Sequence, residues 1–130
     1  MADFTATTRN VMIDWLTGKT TPAAVANRYI TTYNGDPQGA GSENINTITG
    51  SANRQLITAT MAAASSGSSA NAGDITFTGS AVGAATVDFV AIMSAITGGT
   101  VMASTGVTSK SVGIGDSLKI LAANLTVAIT

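Results

Sequence analysis

TVDFVAIMS, residues 86–94, runs through Gly98-Gly99 into TVMAS, residues 100–104, and is the densest apolar run in the chain. In an extended strand Val87, Phe89, Ala91 and Met93 fall on one side, and Asp88, Val90 and Ile92 on the other. Apolar residues on both sides predict a strand covered on both faces. Two adjacent glycines tolerate the positive φ of a tight reversal. The stretch therefore predicts the central hairpin of an all-β core. Its second cover is expected to be the N-terminal helix or a neighbouring subunit.

Upstream, Val11, Met12, Trp15 and Leu16 share one face of a helix. Thr5, Thr7 or Thr8 caps its start and Gly18 closes its end, so a helix is expected over residues 7–18, regular to Leu16. Trp15 then either buries this helix on the sheet or docks an arm on a neighbour. Residues 19–22 link it to a strand over 24–33, with Tyr29, Thr31 and Tyr33 on one face. Asn34-Gly35-Asp36-Pro37 ends that strand in a turn. A long polar loop with a short edge strand is expected over 38–51, carrying the Ile45/Ile48 pair. A strand over 53–61 is followed by an aperiodic Ala/Ser/Gly loop over 62–73, a short strand over 74–78, and a connector over 79–84.

Downstream of the hairpin a short strand is expected over 108–112, a turn at Gly113-Ile114-Gly115-Asp116-Ser117, and one or two closing strands over 118–130. Seven or eight short strands predict a β-sandwich of jelly-roll type with one N-terminal α-helix, a single domain over residues 1–130. Asp88, set between Val87 and Phe89, is expected to pair with Arg28 or Arg54, or to face solvent from an edge strand.

The residue inventory excludes much chemistry. The chain has no His and no Cys, which removes thiol nucleophiles, disulfides, Cys/His zinc sites and histidine general bases. No pair of carboxylates is nominated by spacing, and Asp36 with Glu43 fits no calcium-loop pattern. No catalytic residue, cofactor or metal ligand is expected. Six Lys and Arg against seven Asp and Glu leave no basic stripe, so no nucleic-acid partner is expected. The most apolar window, residues 81–96, is too short for a membrane helix and carries Asp88. Only 10% of residues are charged, against roughly 25% in ordinary domains. Either subunit contacts or a Thr/Ser/Asn/Gly skin must then cover the surface.

Several stretches taken in order resemble a family. They are Val11-Met-Ile-Asp-Trp-Leu-Thr-Gly18, Thr21-Pro-Ala-Ala24, and Tyr29 through Asp36-Pro37. Ala52-Asn53-Arg54, residues 72–78, residues 87–93 with Gly98-Gly99, and residues 108–130 follow. This course is similar to that of small structural proteins of tailed-bacteriophage virions, of the tail-fibre-like and capsid-decoration kind. Departures occur at residues 38–51, at Ala52-Asn53 before Arg54 (where the family pattern has Tyr-Ala), and at Ile92-Met93-Ser94.

The resemblance implies a non-enzymatic structural protein of the virion. Its compact size favours a capsid decoration or cement protein that binds and stabilises the capsid lattice. The alternative is a tail or tail-fibre component involved in host attachment. The implied partners are the major capsid protein or other virion proteins and further copies of the chain as a homo-oligomer, with no membrane partner. Because aromatic residues dominate interface energies, Trp15, Tyr29 and Tyr33 are the expected interface residues.

Overall fold

A computed structural model describes residues 3–24, 26–44, 54–77 and 85–129. In chain order these form β1 (Asp3–Phe4), α1 (Ala6–Leu16), β2 (Tyr29–Asn34), β3 (Ser42–Glu43), β4 (Gln55–Leu56), β5 (Ser68–Ala70), β6 (Ile75–Phe77), β7 (Ala85–Met93), β8 (Val101–Val112), β9 (Leu118–Ile120) and β10 (Thr126–Ala128). The fold is mostly β with one N-terminal helix, as the sequence predicts. A jelly-roll order is not traced among the described residues. Among them the strands form one six-stranded antiparallel sheet, ordered β1-β8-β7-β2-β3 with β4 also on β2, and two ribbons, β5–β10 and β6–β9.

The hairpin of the opening stretch is the centre of the large sheet. β7 pairs with β2 from Tyr29↔Met93 to Tyr33↔Phe89, and with β8 from Ala85↔Val112 to Met93↔Val101. Gly98 and Gly99 both take positive φ in the connection. A Cβ on Gly99 would also crowd the Ala95 backbone nitrogen at 3.1 Å and displace the Ser94 hydroxyl, adding to the cost of its positive φ. The register shifts between Val87 and Phe89 and again between Ile92 and Met93. These bulges fit a 12-residue β8 to a 9-residue β7. They also correct the sequence reading, which divided β8 into two strands at the weak Gly106 region. The Phe89 ring lies over Gly106, so the strand continues under an aromatic cover.

The main core lies between the large sheet and the ribbons. Ile30, Val87, Val90 and Val112 come from the sheet, Ile75 and Phe77 from β6, and Ile57 and Leu125 from the connections. Phe77 is 1% exposed; truncation of such a phenylalanine typically costs about 3–5 kcal/mol. The opposite face of the sheet holds Tyr33, Ala91 and Met93, with Tyr29, Phe89 and Val101 beside them. Both faces of the central hairpin thus carry buried apolar residues, and α1 adds no buried residue to the second. Gln38 from the β2–β3 loop donates to the Ser104 hydroxyl, and Arg54 and Glu43 close the other end.

Three further differences have local causes. The residue 62–73 tract is a hairpin, because Ser66 and Gly67 both adopt positive φ and let Ser65 bridge Ser68. Its strand β5 then pairs with β10. Asn71, 1% exposed, fixes the turn beyond it: its amide donates to the Gly73 and Leu121 carbonyls and accepts from the Leu125 N–H. The expected first strand is shorter at its start, for residues 24 and 26–28 make no ladder and β2 begins at Tyr29. The strand expected over 53–61 is reduced to β4, since residues 58–60 turn under Ile57. The edge strand expected in the 38–51 loop is present as β3. Ile45, Ile48, Asn53 and the 79–84 connector lie outside the described residues.

Candidate interaction surface

Two features stand apart from ordinary core packing: a buried ion pair that ties the sheet's second face together, and an N-terminal arm that stays outside. Glu43 comes from β3 and Arg54 from the residue before β4, brought together because both short strands pair with β2. The Arg54 Nε donates to one Glu43 oxygen at 2.7 Å and its Nη2 to the other at 2.8 Å, a two-pronged match of guanidinium and carboxylate. Nη1 reaches across the sheet to the Ala95 and Gly98 carbonyls at 2.9 and 2.7 Å. The Thr31 hydroxyl donates to Glu43 at 2.6 Å. The Arg54 and Glu43 side chains are 5% and 14% exposed.

Electrostatics follow from this enclosure. Burial alone would raise the Glu43 pKa. The hydrogen bonds from Arg54 and Thr31, with the Arg54 charge, more than reverse that and hold it below the ordinary value. Arg54 is held above its ordinary value by its hydrogen bond to Glu43. Tyr33 is pushed up by burial first and then by the Glu43 charge, with Arg54 opposing. The cluster is fully engaged inside the chain. It locks the turn after β7 to the β2–β3 edge and presents no open catalytic group.

Asp88 is also internal in its role. Its carboxylate accepts the Gly35 N–H at 2.6 Å, fixing the turn that follows β2. It pairs with neither Arg28 nor Arg54, and β7 is a central strand, not an edge. Arg28 instead donates to the nearby Ala26 and Asn27 carbonyls.

The arm has the opposite character. Thr5 caps α1, its hydroxyl accepting from the Thr8 N–H, and Gly18 ends it at φ 74°. The helix buries no residue. Val11, Ile13 and Leu16 are exposed, and Trp15 is 59% exposed. The expectation that Trp15 buries the helix on the sheet is therefore corrected: α1 lies beside β8 and only Thr8 and Met12 are half-buried. Every described residue from 13 to 27 is exposed.

The three aromatics named from sequence are thus divided. Tyr29 and Tyr33 share a face of β2, Tyr29 half-buried opposite Met93 and Tyr33 packed between Phe89 and Glu43. Trp15 is apart on the arm. Sequence reasoning missed the Glu43–Arg54 pair, although Arg54 is the residue that the family-like Ala52-Asn53-Arg54 stretch preserves. It also missed Asn71, whose polarity gave no sign of burial in an Ala/Ser/Gly tract. Among the described residues no group of acidic side chains converges as a metal site, and no helix is long and apolar enough to cross a membrane.

The order of elements, helix then hairpin-centred sheet then closing ribbons, runs the length of the chain, and so does its likeness to a known family. The family model described as podophage GP4 fiber I protein gp80 matches residues 3–128. The chain belongs to this family. It is a phage fibre-like structural protein and a component of the virion. A search of the curated proteins finds no match.

The matched region begins at β1 and so includes the exposed arm as well as the sheet. The ion pair is enclosed by the body, whereas Val11, Ile13, Trp15 and Leu16 of the arm are exposed.

Proposed function

We propose that this protein is a building unit of a podophage fibre, acting by assembly and not by catalysis. The match over residues 3–128 to a fibre protein family supports this reading, and moves it from capsid cement to the fibre alternative. The absence of His and Cys from the sequence supports a non-enzymatic role. Contacts are made by burial of apolar surface, and the partners are other virion proteins and further copies of the chain. Trp15 is the interface residue best supported by geometry, because it is a large aromatic left open on its own chain.

Quantitative mass spectrometry of purified virions tests the assignment. A fibre unit is expected at a few dozen copies per particle, set by tail symmetry. Hundreds of copies would return the protein to the capsid shell. Its absence from virions would overturn both readings.

A further inference from the structure

We propose that the N-terminal arm is exchanged between copies of the chain: β1 and α1 of one protomer dock on β8 of the next. The inference deepens the reading of the chain as a self-associating fibre unit and rests on it. The docking contacts are few: a short backbone ladder and one side-chain hydrogen bond. Asp3 and Phe4 pair with Ser104 and Ala103, and the Thr5 N–H donates to the Met102 carbonyl at 2.9 Å. The Gln38 amide donates to the Asp3 carbonyl at 3.1 Å. Every partner in this set belongs to the body, so an identical arm from a second copy meets the same groups.

The connection allows it. Among the described residues, 21–24 and 26–27 have no backbone hydrogen bond to the rest of the fold, and each is exposed. Residues 17–20 stay bonded to the end of the helix, so the free strap runs from Thr20 to Arg28 and reaches roughly 28 Å when extended. That is about twice the radius of gyration of a domain of this length, roughly 14 Å. The arm can therefore reach a neighbour without moving the sheet.

The exposed face of the arm leaves room for a second copy. On its own body the arm leaves Val11, Trp15 and Leu16 uncovered. Exchange keeps the same β8 contacts and brings two bodies side by side, so this face is left for the new contact between them.

The chain has no native Cys, which makes a crosslinking test clean. Asp3 and Ser104 face each other in register. Their expected Cα separation of about 5.5 Å suits a disulfide. Chains carrying only Asp3→Cys are co-expressed with chains carrying only Ser104→Cys and mildly oxidised. Exchange predicts covalent heterodimers, and a ladder of covalent oligomers from the double variant. A double variant that closes only within single chains overturns the exchange. If the native protein is still an oligomer by light scattering, self-association survives that result; if it is a monomer at all concentrations, both fail. Should the cysteine variants not fold, the native chain gives a second readout through Trp15, its one tryptophan. Assembly predicts a blue shift of its emission with rising concentration, and emission fixed at that of an exposed indole overturns the proposal.

Discussion

Arg54→Met is the sharpest probe of what holds the sheet. The side chain keeps comparable bulk but loses the charge and four hydrogen bonds, two to Glu43 and two to the Ala95 and Gly98 carbonyls. Glu43 is then left as an enclosed carboxylate with the Thr31 hydroxyl as its remaining hydrogen-bond donor in the cluster. Removing one member of a buried pair costs about 3–5 kcal/mol, mostly because the other charge stays desolvated. For a domain of 130 residues this corresponds to a fall in Tm of about 11–18 °C. Thermal unfolding by circular dichroism measures it directly. The penalty must also shrink in acid, where the stranded Glu43 takes up a proton. In the double variant with Glu43→Gln, the two losses must be non-additive by about 0.5–3 kcal/mol. A cost below about 1 kcal/mol, independent of pH, is the behaviour of a surface pair and would refute the buried-staple account.

Asn71→Ala should destabilise the fold by about 3 kcal/mol or more, since it strands the Gly73 and Leu121 carbonyls and the Leu125 N–H; denaturant unfolding checks this. The pH profile of stability should be a plateau with two falling sides. The lowered Glu43 pKa contributes stability that is present above the unfolded value of 4.5 and is lost as pH falls through the folded one. The raised Tyr33 pKa contributes stability that is present below 10.0 and is lost as pH rises through the folded value, so urea midpoints should drop on both sides. Trp15→Ala should change monomer stability by no more than about 0.5 kcal/mol, because the ring is exposed, yet prevent incorporation into particles. Normal folding with normal incorporation would remove Trp15 from the interface.

The parts of the fold legible in sequence are those governed by local rules. The β7–β8 hairpin followed from an apolar run and two glycines, and the helix followed from Thr5, Gly18 and the Val11/Trp15 spacing. The parts that were not legible depend on distant partners. Nothing near Asn71 indicates that Leu121 and Leu125 will come to it from fifty residues away. Asp88 was read against the cations of the chain, whereas its partner is a backbone N–H at Gly35. A bulge is likewise invisible until the partner strand is known, so β8 read as two strands. The helix illustrates a different limit. Its apolar residues share one face, but periodicity does not say whether the same chain covers that face, and here it does not.

The central claim is that this virion protein belongs to the fibre and assembles there through its exposed arm. Electron microscopy of intact virions, with the protein marked by a bound gold-labelled antibody, tests it most directly. The account predicts label along the fibres at the tail. Label distributed over the capsid shell, with the fibres bare, would contradict it.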